Sequence, residues 1–109
     1  MTRWLYHALP HEEWERVGES YAPESLAREG FIHASYREAI EASARLYVAP
    51  KGACVIVRID PRALKVRIDV ADTPRGPMPH VVGPIPRAAI VEAIDLEAWS
   101  NAAAPDFID

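Results

Sequence analysis

Hydrophobic and polar positions alternate most regularly over residues 64–70. Leu64, Val66, Ile68 and Val70 fall on one face there, and Lys65, Arg67 and Asp69 fall on the other. A period of two predicts a half-buried strand. It follows the apolar run 53–59 across a turn at Asp60, Pro61 and Arg62, so the pair reads as two antiparallel neighbours. Residues 3–9 are aromatic and aliphatic up to Pro10 and predict a first strand, and residues 88–96 return to apolar character as a last one.

Helical spacing is clearest over 36–48, where Tyr36, Ile40, Ser43, Ala44 and Tyr47 form the expected buried stripe. Ser35 followed three residues later by Glu38 has the form of a capping box opening that helix. Pro10 and Gly18 bracket an expected short helix over 10–17, and Pro23 and Gly30 bracket another over Glu24–Glu29. The apolar segment 31–34 lies between Gly30 and Ser35 and predicts a short buried strand. Five prolines and two glycines within 72–86 predict a loop held in defined turns. The tail over 100–109 reads as frayed, with Phe107 and Ile108 able to pin it to a groove. Strand, helix, strand, helix and then several strands make the expected class α+β with a mainly antiparallel sheet.

At 109 residues the chain has the length of one domain. A lone Cys54 in an apolar run forms no internal disulfide and asks for no oxidising compartment. The first residues lack a basic stretch followed by an apolar one, and the longest apolar run, 53–57, is far too short to span a bilayer. No membrane partner and a cytoplasmic location are therefore expected. The net charge of −4 disfavours nucleic acid as a partner, although Arg58, Arg62, Lys65, Arg67 and Arg75 gather in one third of the chain. The sequence sets no oligomeric state.

Three histidines carry the candidate chemistry. His7 ends the first strand, His33 stands where the strand 31–34 meets a helix, and His80 lies within the proline-rich segment. An imidazole can donate, accept, take a proton near neutral pH or bind a metal. His11 sits among Glu12, Glu13 and Glu15 and suits a solvated helix face. Each of the three also has a plain reading as an interior or loop group tied to backbone carbonyls. A three-histidine metal site with an open position is a second reading, but no pair has the close spacing of a metal motif and no metal is expected. A non-catalytic ligand-binding module is a third. Ser35 has no nucleophile elbow around it.

Gly30, Phe31, Ile32, His33, Ala34 and Ser35, followed much later by Pro79, His80 and Gly83, resemble the motifs of a bacterial domain-of-unknown-function family, number 952. The opening Tyr6 and His7 fit as well, as does Trp14. Met78 and Val82 depart from the family's second motif, which has aromatic residues at both positions. Asp69 or Asp72 would fill its acidic place, with Asp69 favoured on the polar face of its strand. The family is in turn distantly similar to the ADP-ribosyltransferase fold, in which NAD binds in a cleft between two small sheets. That resemblance implies a split or strongly bent sheet with two or three helices and NAD or a related nucleotide as small-molecule ligand or substrate. It further implies ADP-ribosyltransferase-like or 2′-phosphotransferase-like chemistry. His33, His80 and Asp69 are then the candidate catalytic residues, and His7, Ser35, Tyr36, Arg75 and Gly83 the candidate ligand-binding ones. No glutamate stands at a strand end before His80, and Asp69 is one methylene shorter. Retention of a nucleotide-like pocket is therefore expected ahead of transferase turnover.

Overall fold

The computed structural model describes residues 2–108. Its strands are β1 (Leu5–Pro10), β2 (Ser20–Tyr21), β3 (Ile32–His33), β4 (Cys54–Ile59), β5 (Ile68–Thr73), β6 (Gly76–Val81), β7 (Ile85–Pro86) and β8 (Ile90–Asp95). Its helices are α1 (His11–Glu15), α2 (Glu24–Glu29) and α3 (Arg37–Ser43), the last running into a π-helical turn at Ala44–Val48. Pairing is antiparallel throughout, in three sheets ordered β1-β4-β8, β2-β7 and β3-β6-β5. This is an α+β architecture with a split sheet.

The split occurs where one segment serves two sheets. Ile32 and His33 pair with Val81 and His80 of β6. Two residues on, Ser35 exchanges both backbone hydrogen bonds with Tyr6 of β1, at 2.7 and 2.8 Å. Because Ser35 is thus held extended, the expected capping box does not form. Tyr36 takes the N-cap position with no side-chain cap, and the Glu38 carboxylate turns instead to Arg3.

Alternation along β1 and β4 gives the sheet β1-β4-β8 two different faces. Tyr6 and Ile56 face α3, the π turn, Leu96 and Trp99. Leu5, Leu9, Val55, Val57 and Ile59 face the other way, onto Ile32, Val81 and Ile85 of the smaller sheets. At about 25 cal/mol per Å², such fully buried aliphatic side chains are each worth roughly 2 kcal/mol. The core therefore lies on both sides of β1 and β4, and His7 stands in the layer between the sheets.

Three further expectations are corrected. The strand over 64–70 does not pair with 53–59. Asp60 accepts from the backbone N–H of Arg62 (2.9 Å) and caps a 3-10 turn at Pro61–Ala63, which carries the chain away and leaves that edge of β4 to β8. Its regular strand begins at Ile68 and leaves Val70 exposed. The proline-rich loop over 72–86 instead holds β6 and β7, and β6 is the middle strand of its sheet. Pro79 is tolerated there because its carbonyl, which accepts from Ala34 N–H at 3.0 Å, points toward β3. The donor that Pro77 and Pro79 lack would point the same way, where β3 spans only two residues, so the ladder to β5 loses nothing. Tyr47 is exposed rather than buried, since the π turn breaks the 3.6-residue phase. The tail is docked as far as Ile108, with Asp109 outside the described residues. Trp4 N–H donates to Asp106 O and Ile108 N–H to Thr2 O, both at 2.8 Å.

The basic residues of 58–75 are dispersed rather than gathered into a strip. Arg58 lies over Trp4, Arg62 pairs with Asp60, and Arg67 pairs with Asp69. Among the described residues, no helix is long and apolar enough to cross a membrane.

Candidate functional site

A cleft of about 1040 Å³ opens at the split, bounded by β1, α1, α2, β3, α3 with its π turn, and the turn of the β5–β6 hairpin. His7, His33 and His80 all line it, as do Ser35 and Arg75. The topology thus brings five of the eight candidate residues to one cavity. Asp69, Tyr36 and Gly83 are not in its lining.

His7 is the buried member of the set. Its Nδ1 lies 2.5 Å from the carbonyl oxygen of His33 and its Nε2 lies 2.8 Å from the Tyr21 hydroxyl. A carbonyl only accepts, so Nδ1 carries a proton and donates to it. Burial is the main cause that pushes the His7 pKa down to about 4, and the nearby His33 ring adds to it. His7 is therefore neutral at pH 7. The Tyr21 hydroxyl also lies 3.1 Å from Glu13 Oε1, and burial, reinforced by Glu13, pushes the phenol up.

His33 and His80 are the open members. Register places His33, His80 and Asp69 in one row across β3, β6 and β5, so the three side chains share a face. The His33 and His80 rings meet edge to face with centroids 5.5 Å apart, and Phe31 stacks on His80 at 3.9 Å and 11°. Glu29, the last residue of α2, holds His33 Nε2 at 2.9 Å. Gly30 follows it with φ 85°, a left-handed conformation that ends α2 and turns the chain into β3. The His80 pKa is lowered, first by burial and then by the His33 charge, with Asp69 and Glu29 opposing. Asp69 itself is exposed, and its hydrogen bond from Arg67 Nε at 2.8 Å holds its carboxyl below the usual range.

Arg75, in the hairpin turn, donates from Nη2 to Ser43 Oγ at 2.8 Å and stands 5.7 Å from the centre of the exposed Tyr47 ring. Ser43 in turn receives the Ser35 hydroxyl at 3.4 Å. Tyr36 lies instead under the Arg3 guanidinium, 4.0 Å from ring centre to Cζ. Gly83 has φ 152° and faces Val66 so closely that any Cβ would collide with it, which makes it a packing glycine. Glu13, Tyr21, Glu29 and Tyr47 were not named as site residues from the sequence, and Tyr47 was expected in the core. Glu29 stands four residues before His33, a spacing that could have flagged it, whereas nothing near Tyr21 in the chain points to the cleft.

Among the described residues, no group of three or more histidine, cysteine or carboxylate side chains is placed to hold a metal ion. The His7 partners show why the three histidines do not make one, since both ring nitrogens are already engaged.

Residues 8–93 match the model of a protein family described as a protein of unknown function, DUF952. The chain belongs to the DUF952 family. No curated protein matches it. Its fold is similar to the crystal structure of protein CC0527 from Caulobacter crescentus, with a TM-score of 0.73 and 18% identity over 84% of each chain. A double mutant of the same Caulobacter crescentus protein matches at a TM-score of 0.69, again with 18% identity over 84% of each chain. In this DUF952 chain the family match takes in His33 and His80, and His7 stands one residue before it.

Proposed function

We propose that the cleft binds NAD or a related nucleotide in ADP-ribosyltransferase-like fashion, with His33 and His80 on its working face. The observation that carries this reading is the convergence of three imidazoles and Arg75 on one cavity of about 1040 Å³, a size that suits a nucleotide. Arg75 and Lys51 supply cations for phosphate oxygens, and the exposed Tyr47 ring offers a face on which a base can stack. The second ring nitrogen of His33 and the His80 ring are the groups available to ribose hydroxyls.

Catalysis at a ribose carbon would need a carboxylate aimed at the developing positive charge. The carboxylates in the cleft lining are Glu13, Glu24 and Glu29, and Asp69 is tied to Arg67 outside it. That placement of Asp69 favours a second reading, a binding module that holds the nucleotide without turning it over. Isothermal titration of the protein with NAD is expected to show saturable one-site binding weakened by Arg75→Ala. Absence of heat and of any spectral change up to millimolar NAD would overturn the nucleotide reading. Release of free nicotinamide over hours, lost in His33→Ala, would replace the module by an enzyme.

A further inference from the structure

The chain Glu13, Tyr21, His7 contains one hydroxyl proton and two acceptors for it. Neutral His7 uses its Nδ1 proton on the His33 carbonyl, so its Nε2 must accept, and the donor at 2.8 Å is the Tyr21 hydroxyl. The same hydroxyl lies 3.1 Å from a Glu13 oxygen, and a carboxylate also only accepts. It cannot serve both, and the shorter contact is to His7.

We propose that Glu13, Tyr21 and His7 form a proton-sharing unit in the cleft wall, in which the Tyr21 hydroxyl serves His7 while that imidazole is neutral and turns to Glu13 when it is protonated. In the first state the Glu13 oxygen facing Tyr21 has no donor among the described residues and is open to a hydroxyl or N–H of whatever occupies the cleft. In the second, Nε2–H donates to the Tyr21 oxygen, Tyr21 O–H donates to Glu13, and the carboxylate is drawn onto the wall. One proton enters, none is lost, and only the hydroxyl rotates. Proton transfer between a protonated Glu13 and His7 runs through the same oxygen. Glu13 gives its proton to Tyr21 as Tyr21 gives its own to Nε2.

Among the described residues, the titratable groups joined to His7 are Tyr21 from β2 and, through it, Glu13 from α1, with His33 on β3 beside them; Glu24, Arg28, Glu29, Tyr47, Lys51, Arg75 and His80 stand elsewhere in the cleft lining, and the partner across β4 is the apolar Val57. Glu13 is thus the anion placed to stabilise a charged His7, through Tyr21. Tyr21 and Glu13 are positioning residues in this account, since they act through the imidazole that braces the His33 carbonyl.

The test uses the ligand-free protein and so stands or falls separately from NAD binding. Long-range proton–nitrogen NMR spectra read the tautomer and protonation of His7 against pH. The wild type is expected to show neutral His7 with the proton on Nδ1 at pH 7. In Glu13→Gln the amide can donate to the Tyr21 oxygen and the anion is gone. The acid transition of His7 is therefore expected to move to lower pH by about half to one unit. Adding Glu13→Gln to Tyr21→Phe should shift it no further, because the connection is already cut. A His7 transition unchanged in Glu13→Gln, or a proton on Nε2 at pH 7, would overturn the proposal. Should Tyr21→Phe fail to fold, Glu13→Gln alone decides the matter.

Discussion

His7 and His80 face the same cleft from two different sheets and are held in opposite ways. His7 is buried, both its ring nitrogens are engaged by protein groups, and its ring braces the backbone of His33. His80 is half-buried, its ring is held by stacking on Phe31 and by the edge of His33, and neither of its nitrogens has a hydrogen-bond partner among the described residues. The contrast separates two jobs that the sequence presents as one. A histidine with every polar atom spent on the fold is wall, and a histidine fixed by ring contacts alone keeps its nitrogens for a ligand.

The sharpest way to break this comparison is to remove each ring in turn. His7→Ala leaves the His33 carbonyl and the Tyr21 hydroxyl without their partner in a packed layer and opens a cavity. The expected loss is about 3 kcal/mol or more, read from the urea midpoint. His80→Ala removes a half-buried ring held by stacking on Phe31 and by the edge of His33, so the expected loss is only about 1 kcal/mol. An equal loss in the two variants would erase the distinction.

Acid provides the next test. The folded pKa of His7 lies near 4, below the 6.5 of an unfolded chain, so unfolding takes up a proton between those values. Stability is expected to be level above pH 6.5, to fall by about 3 kcal/mol as the pH drops toward 4, and to level off again once native His7 is itself charged. His80, shifted the same way, adds to the fall. In His7→Gln the larger part of this slope should vanish, as followed by urea midpoints at pH 7 and 4.5.

Smaller effects belong to the working face. His33→Ala is expected to weaken NAD binding about tenfold, the loss of one or two hydrogen bonds, measured by calorimetry at pH 7. Asp69→Asn should change neither stability nor NAD affinity measurably, because Asp69 is exposed and lies outside the cleft lining. A large loss of NAD affinity in that variant would return Asp69 to the site.

Local chemistry explains which parts of this arrangement were legible in the sequence. β1 and β4 were readable because each buries most of a short run of largely apolar residues, β8 by its apolar Ile90, Val91 and Ile94 although only Ile90 is buried, and Gly30 marked the end of α2 by the left-handed turn it supplies. β6 was hidden because its prolines suggest a loop, and only the shortness of β3 makes them harmless in a middle strand. The second partner of β4 was misassigned because alternation over 64–70 specifies a face without specifying a neighbour. Tyr47 was misplaced because no local pattern announces a π turn. In the cleft, the three histidines were legible as residues with chemistry to spare. Their different roles were not, because Tyr21, Glu13 and Glu29 reach them from other elements.

The cleft at the split is proposed as a nucleotide site worked by His33 and His80 and walled by His7. The most direct measurement is an NMR titration of the three imidazoles with NAD at pH 7. The expected result is saturable shifts at His33 and His80, with His7 keeping its Nδ1 proton and its neutral state throughout. Silence from His33 and His80 up to millimolar NAD would contradict the claim.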